Sequence, residues 1–384
     1  MTITETTVTD PLPGQGGPDG IVRVLAQGRA EDTAEILAAH DVPPVRLVYL
    51  DPPYNTGRDF GAYQDAMDRQ EWVAMIHQTL ESVRKVMRED GSIWVQVDGQ
   101  VDHLVRLAMD EVFGPQNYVG AITWQRKERA AFLHAQMATV SDRIIVYAKN
   151  REKMPALTYG TTDAGRRVPV HHNGNSRTVL SFPAGSVQLP GEDRTIPAGA
   201  HDTRSVASEL LDDIHVINGV NSTEFRMTGS FRWGQASIES MHTEAQADGR
   251  TAFIAPRQPL RPSFVGTVTK GKPVKDLWSF HTDGAPTNEE ARAEQEEIFG
   301  PGCSFPTPKP VRLVERIVAC STDPGDIVLD SYAGSGTTPV AAGRLGRGYV
   351  AIELEQKTID NWTLPRLAAE GLAPDSKTAE VAIG

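Results

Sequence analysis

The sequence predicts an α/β protein in which the two halves of one mainly parallel sheet domain flank an inserted region, and three observations carry that prediction. Short apolar runs alternate with helical apolar periodicity up to about residue 150 and again after residue 310. One apolar run breaks abruptly into Asp51-Pro52-Pro53-Tyr54, and another feeds the glycine-rich turn Asp330–Gly336. Between Arg151 and about Lys275, glycines, prolines and short mixed-polarity runs leave no sustained period.

Val45–Leu50 (VRLVYL) reads as a buried strand ended by prolines. Met75, Ile76, Leu80, Val83 and Met87 recur at helical spacing after Trp72, predicting a helix that stops at Asp90-Gly91. Ser92–Val97 is a strand, Val101–Phe113 a helix capped by Gly114, and Tyr118–Trp124 and Arg143–Ala148 further strands. After the insert come a helix at about Val311–Cys320, a strand at Ile327–Leu329, a helix from Thr337, a strand at Tyr349–Ile352 and a final helix from Gln356. The expected organisation is a mobile tail over 1–20, a first half of the sheet domain, with Asp51–Tyr54, over 21–150, an insert over 151–275, a second half over 276–372 and a tail over 373–384.

The composition is that of a globular protein, 39% hydrophobic and 23% charged, which excludes disorder throughout. No apolar run is long enough to span a membrane, and the Thr/Pro/Gly-rich start lacks a basic, then apolar, signal pattern, so a soluble cytoplasmic protein is expected. Cys303 and Cys320 lack neighbouring ligands, and His171-His172 is followed by no spaced set, so no metal is expected and the histidine pair reads as surface or DNA-facing. The net charge of −12 counts against a phosphate-rich partner, yet it is unevenly distributed. The insert holds 15 Lys+Arg against 12 Asp+Glu, a balance of +3, which leaves −15 on the rest.

In Asp330-Ser331-Tyr332-Ala333-Gly334-Ser335-Gly336-Thr337, the glycines allow close backbone approach and the helix start offers free N–H groups. Pro339 stands at the third position of a dinucleotide fingerprint and no Lys follows for a P-loop, so a ligand-free turn is an alternative. Glu353 ends the next strand, where an acid can accept from both ribose hydroxyls; together the two features describe an adenosine-containing cofactor. Glu355 reads as a helix N-terminal charge. In the Asp51–Tyr54 loop, Pro carbonyls have no N–H of their own to compete with, so the Asp51 carboxylate and a carbonyl can both accept from an –NH2 group, beside the Tyr54 ring as a stacking face. A proline-rich turn in which Asp caps a helix is the other reading.

With both motifs in this order, the chain resembles the β group of S-adenosylmethionine-dependent DNA amino-methyltransferases. Asp51–Gly57, Gly91–Asp98, Val112–Trp124, Asp276–Trp278, Ile298–Gly300 and Thr307–Pro310 are similar to the modification subunits of type III restriction systems and their solitary relatives. The resemblance covers most of Val45–Arg366 except the insert. It implies a circularly permuted, Rossmann-like, seven-stranded, mostly parallel sheet with helices on both faces, and a target-recognition role for the insert.

The resemblance further implies that Asp51 and Pro52, with Pro53 and Tyr54, form the catalytic tetrad, Asp51 and the Pro52 carbonyl holding the target amine and Tyr54 stacking on a flipped base. Asp330, Tyr332, Ala333, Gly334, Ser335, Gly336 and Thr337 would form the loop for S-adenosyl-L-methionine, Glu353 would take its ribose, and Lys309 would stand on the cofactor side. Gln27-Gly28-Arg29 replaces the family's usual Gly-Asp pair. Asp at the first tetrad position accompanies adenine N6 in the family. Cytosine N4, a catalytically silent DNA-binding subunit, and RNA or a protein glutamine as substrate are the alternatives. Double-stranded DNA is the implied partner, with a homodimer and a separate restriction subunit as further possibilities. Arg126, Lys127 and Arg129, and in the insert Arg257, Arg261, Lys270 and Lys272, are candidate phosphate contacts or solvated loop charges.

Overall fold

The computed structural model describes residues 6–8, 20–54, 58–59, 64–65, 67–129, 138–161, 167–200, 208–255, 261–265, 271–374 and 378–379. The chain divides into two compact units, Met1–Tyr159 with Pro273–Gly384, and Gly160–Lys272.

In the first unit, β1 (Arg23–Gln27), β2 (Val45–Leu50), β3 (Met87–Val97), β4 (Tyr118–Gln125), β5 (Ser141–Ala148), β6 (Leu277–Trp278), β7 (Ile327–Asp330) and β8 (Gly348–Glu353) form one sheet. Their order is β1-β8-β7-β2-β3-β5-β4-β6. The two-residue β6 pairs with Thr123–Trp124 and adds an eighth strand to the seven expected. Only β5 runs against its neighbours, so Ser141 and Asp142 at its start lie at the edge where β3 and β4 end. The chain-distant β2 and β7 are parallel neighbours, with Val48 beside Leu329. The chain runs outward in opposite directions from that pair, which makes the crevice beyond their carboxyl ends a topological switch point.

The central strands are apolar on both sides because helices cover both faces. Val48, Leu50, Ile93 and Val95 pack with Ile36 of α1 (Thr33–Ala39), Trp72, Ile76, Leu80 and Val83 of α2 (Arg69–Val86), and Met109 and Phe113 of α3 (Asp102–Phe113). Later in this unit, after the short helix Phe280–Asp283, come α4 (Asn288–Phe299), α5 (Val311–Ser321), α6 (Thr337–Arg344) and α7 (Leu364–Ala369). Leu47, Tyr49 and Trp94 pack on the other side with Leu313 and Ile317 of α5, Val340 of α6 and Leu367 of α7. The Asp68 carboxylate caps α2 by accepting from Gln70 N–H at 2.8 Å, and α3 ends at Gly114, whose φ of 86° needs no Cβ.

Several local expectations change. The second helix ends at Val86 rather than Asp90-Gly91, because Met87 already pairs with Val45 and Arg46 pairs with the Asp90 carboxylate. The strand β1 and helices α1 and α4 carry no strong sequence signal and were not expected. The final helix continues from Gln356–Thr358 through a wider turn at Ile359–Thr363 into α7. At the termini, Thr6–Val8 pairs antiparallel with Thr378–Ala379, within segments read as mobile tails. No helix among the described residues is long and apolar enough to cross a membrane.

The second unit has its own core, in which Leu180, Phe182, Phe225, Met227, Ile238 and Phe253 meet between a seven-stranded sheet, a four-stranded sheet and the helix Gln235–Ala247. Its strands are two to six residues long, too short to show a period in the sequence. His171 is buried there against Phe231 and bonds Ser208 Oγ at 2.7 Å, so it does not face solvent, whereas His172 is exposed. Burial pushes the His171 imidazole down to about 4.

Leu329 is fully buried where β7 meets β2. Leu329→Ala is expected to lower unfolding stability by about 2–5 kcal/mol in urea titrations.

Candidate active site

The end of β2 delivers Asp51, and the end of β7 delivers Asp330 and the glycine turn, to one cavity of about 320 Å³. Asp51, Pro52, Pro53, Tyr54, Lys309, Asp330, Tyr332, Ala333, Gly334, Ser335, Thr337 and Glu353 all line it; Gly336 lies just behind, as the residue before α6. Two segments nearly 280 residues apart thus meet in one place.

Both oxygens of Asp51 are engaged. Tyr54 Oη donates to Oδ1 at 2.7 Å and Lys309 Nζ to Oδ2 at 2.5 Å. Burial and the neighbouring Asp51 charge hold the Tyr54 hydroxyl well above its ordinary value, so it stays a donor. The two proline carbonyls are not equivalent. Pro53 accepts from the buried Trp72 Nε1 at 2.7 Å, which pins the loop to α2 and takes one of the two lone pairs of that carbonyl. Lys309, placed with the cofactor segment by resemblance, reaches Asp51 with its side chain and the glycine turn with its backbone, its carbonyl accepting from Thr337 Oγ1 at 3.1 Å.

The turn is held from several sides. Gly334 and Gly336 have φ of 51° and 80°, and a Cβ on Gly336 would meet Thr363 Cγ2 at 3.2 Å. Glu353 accepts from Gly334 N–H at 2.8 Å and from Glu355 N–H at 3.1 Å, so each of its oxygens holds backbone and keeps a lone pair for a ligand hydroxyl. Arg366 is 1% exposed, and its Nη1 donates to Ser335 O, Ser335 Oγ and Thr337 Oγ1 at 3.0–3.3 Å. Gly28, Arg29 and Glu31 also line the cavity, with an ion pair between Arg29 and Glu31 at 2.6 Å.

A polar chain crosses the sheet behind Asp51. Tyr49 Oη donates to Gln96 Oε1 at 2.7 Å, Gln96 Nε2 to Asp142 Oδ2 at 3.2 Å, and Arg126 Nε stands 2.7 Å from Asp142 Oδ1 as a charge contact. Burial pushes the Asp142 carboxyl up to about 6 against the pull of Arg126 and Lys309. Arg126, read from the sequence as a phosphate contact or a solvated loop charge, is instead turned inward by a buried carboxylate. Lys127 is partly buried and Arg129 exposed, and in the second unit Arg261 and Lys272 are exposed. Arg257, Lys270 and Asn55–Gly57 lie outside the described residues.

The sequence reading missed Asp142, Gln96 and Arg366. Asp142 becomes visible only once β5 is known to run backwards; Arg366, charged but only two residues from the apolar Leu364 and beside Leu367, was the one local clue. Among the described residues, no group of three His, Cys, Asp or Glu side chains is arranged to hold a metal ion.

Asp330 is fully enclosed, accepting from Tyr332 N–H at 2.9 Å and Thr338 Oγ1 at 2.5 Å. Burial, with the Asp51 and Glu353 charges, pushes its carboxyl from 3.8 up to about 7 despite those donors. A raised folded-state value means stability that is present below 3.8 and lost as pH rises through 7. Against Asp330→Asn, which does not titrate, the wild type should lose thermal stability between pH 4 and pH 8; a constant difference in Tm across that range would refute the burial account.

Residues 45–363, most of the chain, match the DNA methylase family N6_N4_Mtase. The Mod subunit of the type III restriction-modification enzyme StyLTI of Salmonella typhimurium is 24% identical over 77% of this chain and 45% of its own length. Type II methyltransferase M.EcaI of Enterobacter cloacae is 25% identical over 80% of this chain and 61% of its own. The chain spans about half the length of the curated relatives it matches. Among solved structures, the cytosine-N4-specific PvuII DNA methyltransferase is 13% identical with a TM-score of 0.43, over 91% of this chain and 84% of that one, a likeness too slight to argue from. The family match over residues 45–363, on the segments that build this cavity, makes the chain a member of the DNA methylase family.

Proposed function

We propose that the protein is a site-specific DNA methyltransferase that uses S-adenosyl-L-methionine to methylate the exocyclic N6 amine of adenine. The observation that carries this reading is the single cavity lined both by Asp51, Pro52 and Tyr54 and by the glycine turn with Glu353. Its volume of about 320 Å³ falls at the lower end of roughly 300–1,000 Å³ for ligand pockets. The positive φ of Gly334 and Gly336 lets backbone approach a ligand, and the enclosed carboxylates suit a cationic one, so the residues fit this cofactor. Asp330, Tyr332 to Thr337 and Glu353 would hold it, and the bound cofactor would supply a methyl group on an electron-poor sulfonium.

The chain's residues would do the rest by positioning. An aromatic amine is a weak nucleophile because its lone pair is delocalised into the ring. Asp51 and the Pro52 carbonyl, taking one N–H each, favour a pyramidal nitrogen and aim its lone pair into the cavity. Tyr54 is the stacking face for a base taken out of the duplex, and its bond to Asp51 fixes the carboxylate plane. Asp51 offsets the positive charge that grows on nitrogen and is placed to take the proton afterwards.

In the same reading the catalytic half precedes the cofactor half, a circular permutation of the Rossmann-like order, and the unit Gly160–Lys272 reads the target sequence. In this reading double-stranded DNA in the cytoplasm is the substrate, a separate restriction subunit is a candidate partner by likeness to the Mod subunits of restriction-modification enzymes, and a second copy of the chain is a further candidate from the family resemblance.

Asp51→Ala should lower methyl transfer to DNA at least 100-fold while calorimetry still finds cofactor binding within a few-fold of wild type. Near-normal transfer by that variant would overturn the reading.

A further inference from the structure

We infer that the Lys309 ammonium holds the place of the target amine on Asp51 in the free protein, and that a base entering the cavity must exchange with it. The inference rests on the methyl-transfer reading, in which the product nitrogen is briefly a cation against Asp51. Lys309 Nζ reproduces those features: a positive nitrogen that can only donate, 2.5 Å from Asp51 Oδ2 and 5.4 Å from the centre of the Tyr54 ring. With Tyr54 Oη on Oδ1, no oxygen of Asp51 is left without a partner.

Both partners of the ion pair are well enclosed, with side-chain exposures of 10% for Lys309 and 19% for Asp51. A carboxylate so enclosed is costly to leave unpaired, which gives the lysine a reason to be there before substrate arrives. The lysine and a forming aminium on the same carboxylate would repel, so both cannot stay. Exchange needs only side-chain motion. The lysine backbone is fixed between Pro308 and Pro310 and by Thr337 Oγ1 on its carbonyl, while four methylene groups let the ammonium swing away. Lys309 is in this sense a positioning residue, keeping Asp51 charge-paired and oriented until the amine replaces it.

The test is steady-state transfer of labelled methyl groups to whole-genome-amplified DNA, which carries no modification, by wild type, Lys309→Met and Lys309→Arg, each checked for folding by thermal melting. Lys309→Met has no ammonium to displace and should half-saturate at a several-fold lower DNA concentration. Lys309→Arg, whose guanidinium grips a carboxylate with two hydrogen bonds, should need several-fold more DNA. A Met variant with an unchanged or higher KM for DNA overturns the exchange even if its kcat falls. If the Met variant does not fold, the Arg variant decides, an unchanged or lower KM overturning it. A wild type that transfers no methyl at all overturns the underlying function, and the exchange with it.

Discussion

The pairing of Val45–Leu50 with Ile327–Asp330 is the constraint on which the rest of the site depends. Val48 beside Leu329 sets the register, and the loops that follow the two strands then have to share one crevice. Neither loop is complete without the other. Asp51 is paired by a lysine whose carbonyl is tied to Thr337 on the glycine turn, and the turn is tied through Glu353 to the neighbouring strand and through Arg366 to the last helix. The two loops are linked covalently and by hydrogen bonds, which suits the proposed transfer, a reaction that depends on aiming one atom at another.

Charge is arranged to match. The cavity gathers Asp51, Asp330 and Glu353, which would be unstable in a low-dielectric space if left bare. Each is met by donors of a different kind: Asp51 by a lysine and a tyrosine hydroxyl, Glu353 by backbone N–H groups, and Asp330 by a backbone N–H and a threonine hydroxyl, with burial raising the carboxyls of both Glu353 and Asp330. Asp142 repeats the pattern one layer back with Arg126 as its counter-charge. The excess of acid in the sequence is thus partly a property of the site, while the unit Gly160–Lys272, proposed to read DNA, is close to balanced, with 12 Lys+Arg against 11 Asp+Glu.

The parts of this arrangement legible in the sequence are those encoded locally. The apolar runs, the helical spacing from Trp72, the cap at Gly114 and the two loop motifs act over a few residues, and the strands and helices appear where those signals stand. Partnerships across the chain were not legible. Nothing near Lys309 says that its ammonium reaches Asp51, and nothing near Pro53 distinguishes its carbonyl from that of Pro52 until Trp72 is seen to occupy it. Strand direction is equally hidden, and with it Asp142. In the second unit, strands of a few residues buried by mutual packing leave too short a pattern for periodicity to detect.

The most direct measurement of the central claim is nucleoside analysis of unmodified DNA after incubation with the purified protein and S-adenosyl-L-methionine. The account predicts N6-methyladenine that disappears with Asp51→Ala. N4-methylcytosine in its place would contradict the assigned base, and the absence of any methylated nucleoside would contradict the function.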